Sequence, residues 1–117
     1  MLKIWKALEL KNDKAELKNV FDRLYDSGFD IVPDEEIQSS GYVVHSLEAA
    51  IWCFLNTNNY CECTLKAVNL GEDTDTIAAI AGGLAGIFYG EIPKEWIGEL
   101  RGKEVIENSI ANMISLL

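Results

Sequence analysis

Histidine and basic residues are scarce: the 117-residue chain has one His, and only 10 Lys and Arg against 19 Asp and Glu. The formal charge of −9 argues against nucleic acid or an anionic membrane surface as partner, since both repel a negative protein. A diphosphate ligand would need a metal ion or local basic groups to offset that charge. Three cysteines, Cys53, Cys61 and Cys63, make an odd set. Cys61-x-Cys63 has no second pair of ligands, and His45 is far off in sequence, which excludes an ordinary zinc site. Reduced thiols in a cytoplasmic protein are the expectation. The uncharged run from Ile77 to Tyr89 is thirteen residues, short of the ~20 needed to cross a bilayer. The start, Met1-Leu2-Lys3-Ile4-Trp5-Lys6, meets a charge too early for a secretory signal. Strand-like alternation and internal repeats are missing as well, which leaves helices.

Apolar residues make up 49% of the chain, enough for the core of one domain and too many for disorder. Leu2, Ile4, Trp5 and Leu8 suit a helix over residues 1–10. Asp13 with Glu16 forms a capping-box pattern. Leu17, Val20, Phe21 and Leu24 then share one helical stripe, with Gly28 as its stop. Residues 29–41 read as a connector with one helical turn after Pro33. The next helix runs from Tyr42 to Leu55, its buried face carrying Val44, Leu47, Ile51, Phe54 and Leu55. After a polar turn at Asn56–Asn59, a helix from Tyr60 to Leu70 is expected to face Cys61, Leu65 and Val68 inward. Gly71 supplies a tight bend. Pro93 starts a short helix ending at Gly102. A last helix over 104–117 aligns Ile106, Ile110, Met113, Ile114 and Leu117. The expectation is an all-α, compact bundle of about six helices in a single domain spanning 1–117.

The chain is organised around Leu70–Gly90, LGEDTDTIAAIAGGLAGIFYG. Glu72, Asp73 and Asp75 precede an Ala- and Gly-rich body, so the acids fall at a helix start. A helix apolar on nearly every side is expected at the centre of the fold. Its glycines, which cost helical stability, imply close approach by another helix. Asp and Thr at a helix start are ordinary caps that complement the dipole. Three carboxylates within four positions repel one another, however, and either take up protons or gather a cation. Carboxylate and hydroxyl oxygens suit Mg²⁺, Mn²⁺ or Ca²⁺. Capping and a hard-metal half-site both stand on spacing alone.

GEDTDTIAAIAGGLAGIFYG, preceded by AVNL and followed by IPKEW, resembles the C-terminal signature of the ADP-ribosylglycohydrolase family. The upstream run SGYVVHSLEAAIWCFLNT is similar to the segment preceding it in that family. The resemblance implies an all-helical fold and hydrolysis of the glycosidic bond between ADP-ribose and an acceptor side chain. It implies a dinuclear magnesium or manganese centre in which Asp73, Asp75 and Thr76 are ligands. Tyr42, Ser46, Gly71 and Glu72 are then candidates on the substrate side, with glycine also common among relatives at the position of Glu72. The alternative for Tyr42 and Ser46 is packing and capping. The family's other ligand group, a Thr/Ser-Asp-Asp run, has no match in residues 1–69. Hence the expectation is half a metal site: a chain resembling only the C-terminal part, inactive or nearly so alone, with no catalytic acid or base assigned. The alternatives are one half of a split enzyme, or a non-catalytic helical interaction module. Apolar faces left without a partner imply self-association as a homodimer.

Overall fold

The structure, a computed structural model, describes residues 19–117. The helix expected over 1–10 and the Asp13–Glu16 cap lie outside them. Asn19 and Val20 are helical, but the helix expected to reach Gly28 gives way at Phe21 to 3-10 turns at Asp22–Tyr25, Phe29–Ile31 and Asp34–Glu36. Aspartates supply the reason. Asp22 Oδ1 accepts the Arg23 N–H at 2.8 Å, and Asp26 Oδ1 accepts the Gly28 N–H at 3.1 Å. Such local bonds offer the backbone an alternative to the helical ladder. The turns still deliver Leu24, Phe29 and Ile37 to the core, and the turn after Pro33 falls where the sequence puts it.

Five α-helices follow: α1 (Val43–Leu55), α2 (Tyr60–Asn69), α3 (Thr74–Tyr89), α4 (Lys94–Glu99) and α5 (Lys103–Ser115). No strand occurs among the described residues. Helices α1, α2 and α3 form the packed body, with α3 against both others. Its centre holds Ala49, Ala50, Trp52 and Cys53 from α1, Cys63 and Ala67 from α2, and Ile77, Ala81 and Ala85 from α3. The Trp52 indole N–H donates to Val32 O at 2.8 Å, tying the 3-10 segment to α1. Lys66 lies 4.3 Å from the Trp52 ring centroid, a cation over an aromatic face.

The expected inward face of α2 is corrected. Leu65 and Val68 are about half exposed, at 49% and 46%, and Cys61 is only partly covered. Cys63 and Ala67 are buried instead, with Tyr60 and Leu70 packed beside them. Small side chains face α3 because the two helices lie close: the Cys63 thiol reaches Ala81 O at 3.7 Å. Asn59 caps α2 through the Glu62 N–H at 2.9 Å, and Glu62 accepts the Asn58 N–H in return, a reciprocal cap that Asn59-x-x-Glu62 encodes.

Helix α3 also departs from expectation. One face is central, with Ile77, Ala81 and Ala85 fully buried, but Asp75, Thr76, Ala79, Gly83, Ile87 and Phe88 face solvent. Its glycines are not what close approach requires. A Cβ on Gly82 would meet Tyr60 Oη at 3.5 Å, and one on Gly86 would meet Tyr60 Cε2 at 3.7 Å. Both are ordinary van der Waals contacts; the close approach runs through the buried alanines. Gly90, left-handed at φ 68°, ends the helix. Helices α4 and α5 contribute no buried residue.

Candidate functional site

The head of α3 is built where two loops meet. Gly71 and Glu72 both have left-handed backbones, φ 89° and 51°. This geometry suits glycine and costs other residues roughly 1–2 kcal/mol, so Glu72 holds strain where glycine would relieve it. The double left-handed turn reverses the chain after α2 and brings the Asp73 N–H onto Ser39 O at 3.0 Å. Buried Ser39 also donates from its hydroxyl to Leu70 O at 3.4 Å. Gly41 lies against the acid: a Cβ there would come within 3.3 Å of Asp73 Oδ2.

Asp73 occupies the N-cap of α3, yet its side chain makes no cap hydrogen bond to the first turn. Its Oδ1 accepts the Thr76 hydroxyl at 2.9 Å instead. The structure thus brings Asp73 and Thr76 together, and Asp75 lies exposed on the same turn. Glu72 is exposed, set by its backbone rather than by a side-chain contact. Chemically, two carboxylates and a hydroxyl on one turn are hard oxygen donors. Among the described residues, no three His, Cys, Asp or Glu side chains gather closely enough to hold a metal by themselves. Any ion at this head would draw further ligands from water, substrate or other protein groups, since magnesium takes six oxygens in an octahedron.

Tyr42 ends the facing loop, and Ser46 lies one turn on, in the first turns of α1. Tyr42 is 57% exposed and meets the His45 ring edge-on, centroids 5.0 Å apart. Ser46 is buried, and its hydroxyl donates to Ser40 O at 3.0 Å and to Tyr42 O at 3.3 Å. It therefore fixes the loop from beneath. Ser40, which spacing did not single out, pairs with His45 Nδ1 at 2.8 Å and accepts the Tyr42 N–H at 3.3 Å. Five residues on from Ser40, His45 carried no sign of that pairing in sequence. Buried Glu48, one turn along α1 from His45, accepts from the Arg23 guanidinium at 3.2 Å. Burial pushes the Glu48 carboxyl above its ordinary range; Arg23, and then His45, pull it partly back. The thiol of Cys53, deep in the core, is pushed up to about 12, chiefly by burial, so it is no nucleophile at neutral pH.

An all-helical body whose central helix opens with Asp-x-Asp-Thr defines a class, and the chain belongs to the ADP-ribosylglycohydrolase family, whose model matches residues 3–117. Among its relatives is the ADP-ribosylarginine hydrolase Tri1 of Serratia proteamaculans, 49% identical over 76 residues, 63% of this chain and 21% of that protein. The ADP-ribosyl-[dinitrogen reductase] glycohydrolase of Rhodospirillum rubrum is 35% identical over 82 residues, 68% of this chain and 27% of that protein. Mouse ADP-ribosylhydrolase ARH3 is 37% identical over 92 residues, 64% and 25% of the two chains. The chain thus spans less than a third of the length of these curated relatives.

Proposed function

We propose that this chain supplies the aspartate–threonine part of a site that hydrolyses the bond between ADP-ribose and an acceptor side chain. In this reading Asp73, Asp75 and Thr76 hold a divalent cation, magnesium or manganese. One observation carries it: the Asp73 carboxylate, placed where a cap would be, leaves the first-turn N–H groups and accepts the Thr76 hydroxyl instead, beside Gly41 of the facing loop. The donor set fits a hard cation, being oxygen throughout with no thiol or imidazole among the three. The N-terminal dipole of α3, about +0.5 of a charge, opposes a cation there, but two carboxylates outweigh it. Such an ion, when bound, polarises oxygen and orients water. The chain's own residues do the holding: Thr76 fixes one Asp73 oxygen, Ser39 fixes the Asp73 backbone, and Asp75 stands open to solvent for a second ligand bond. The strain at Glu72 belongs with this, since strained backbone persists where the surroundings over-determine it, often at functional sites.

The names of the relatives put ADP-ribose on arginine in one case and on dinitrogen reductase in another. The shared group, ADP-ribose on a protein, is the substrate class proposed here. Three donors on one exposed turn leave an octahedral ion half-satisfied, so the chain alone binds the cation weakly and turns over no ADP-ribosyl substrate. The uncovered stripe on α5 supports a second element of the reading, pairing of two copies. Manganese titration followed by electron paramagnetic resonance tests the site. The expected result is saturable binding that weakens at least tenfold in Asp75→Ala, about the loss of one ligand's share. Binding unchanged in both Asp73→Asn and Asp75→Asn would favour the non-catalytic interaction module. Robust hydrolysis of ADP-ribosylarginine by the purified chain would overturn the claim that it is inactive alone.

A further inference from the structure

We infer that the loop Ser39–Tyr42 is a positioning element for Asp73, holding its backbone through the Ser39 carbonyl, and that the missing side chain at Gly41 leaves the room its carboxylate occupies. The consequence for metal affinity rests on the site proposed above; the packing around Gly41 does not. The loop is pinned at every residue but Gly41. Ser39 is tied to Leu70 O by its hydroxyl and to the Asp73 N–H by its carbonyl. Ser40 is held by His45 Nδ1 and the Tyr42 N–H on its side chain, and by the Ser46 hydroxyl on its carbonyl. Tyr42 O accepts from Ser46 as well as from the Ser46 N–H, the latter at 3.0 Å. Ser39 and Ser46 are buried, so those anchors are shielded from competing water.

A loop held this way does not give when crowded. A methyl group at position 41 would lie 3.3 Å from Asp73 Oδ2 and 3.8 Å from its Cγ, tighter than most real contacts, so the carboxylate must shift by a few tenths of an ångström. Its other oxygen is bonded to Thr76, and the shift therefore strains that bond too. Metal sites tolerate displacements of only about 0.2 Å in ligand distance. Outer groups that orient ligands typically control affinity by about 10–100-fold.

The test compares Gly41→Ala with Gly83→Ala in the full chain. Gly83 is the control, because a Cβ there meets nothing within 4 Å. Two quantities are read in each protein: the side-chain carboxyl ¹³C signal of Asp73 by NMR, and manganese affinity by paramagnetic resonance. The expected result is a displaced Asp73 signal and about tenfold weaker manganese binding in Gly41→Ala, with Gly83→Ala matching the parent in both. A displaced Asp73 signal in Gly41→Ala, with no manganese binding in the parent, would support the positioning role and overturn the metal reading. Manganese binding in the parent, with Gly41→Ala unchanged in both readouts, would overturn the positioning role and leave the metal reading intact. Gly41 has no left-handed backbone, so alanine is accommodated without refolding the loop. Gly41→Val, with a larger intrusion on the same oxygen, must move both readouts further than alanine does.

Discussion

Glu48 shows how one residue couples the unhelical start of the described chain to the site-bearing helices. It is 5% exposed, and among the described residues its charged hydrogen-bond partner is Arg23, whose side chain is 37% exposed. The carboxyl is held above its ordinary range, mainly by burial. A carboxyl raised in the folded state binds more protons there than in the unfolded chain. Its contribution therefore favours the fold at acid pH and is lost as pH rises through the window above the ordinary carboxylate range. Arg23 narrows that window. Arg23→Gln is expected to cost about 1–3 kcal/mol at neutral pH, the penalty of a buried charge losing its partner, and the loss shrinks on acidification as Glu48 takes up its proton. Urea unfolding at neutral pH and near pH 5 measures both; equal loss at the two pH values would show that Arg23 acts through packing alone. None of this was legible in the sequence, where nothing local to Arg23 points to Glu48 twenty-five positions on. Asp73 and Thr76 were legible, because an Asp-x-Asp-Thr run is local and needs no knowledge of what lies across from it. Ser39 and Gly41 were not, since what lies beside them, Leu70 and Asp73, comes more than thirty positions later in the chain.

Some helix ends were legible in the sequence, and helix faces less so. Turn and cap residues act within a few positions: Gly71 takes a left-handed backbone where a bend was expected, Gly90 takes one at the end of α3, and Pro93 precedes α4, but α4 ends at Glu99 and Gly102, expected to close it, instead opens α5. Faces depend on the neighbour. On α2 the larger apolar residues Leu65 and Val68 look like the core, but the proximity of α3 selects Cys63 and Ala67 instead. The same logic misassigned the glycines of α3. Space for a methyl exists at Gly82 and Gly86, and glycine within a helix costs about 0.8–1 kcal/mol relative to alanine. Gly82→Ala and Gly86→Ala are therefore expected to stabilise the chain, each by up to about 1 kcal/mol, seen as a higher urea midpoint with an unchanged slope. Destabilisation at either position would mean that Tyr60, whose ring and hydroxyl line both sites, cannot yield, and that close approach matters after all.

At the scale of the whole molecule, the packed body stops at α3. The stripe on α5 is complete at helical spacing, with Ile106 at 42%, Ile110 at 47%, Met113 at 59% and Ile114 at 60% exposure, and no residue of the helix is buried. A contiguous apolar face of this kind rarely stays in water on a monomer. Two copies of the same helix, related by a two-fold axis, cover each other most economically. Charge opposes this, since each chain carries a formal −9, and the repulsion acts over a Debye length of about 10 Å at 0.1 M salt. Burial of apolar surface is not screened. Association should consequently strengthen as salt rises, the reverse of a contact made by ion pairs. Light scattering is expected to give a mass above 13.0 kDa at micromolar concentration, increasing with added sodium chloride. Ile110→Glu with Met113→Glu should restore the single-chain mass while leaving far-ultraviolet helicity and the unfolding midpoint near the parent values, because α5 contributes nothing to the core. A clean monomer across the micromolar range at high salt would show that the stripe on α5 does not bring two copies together.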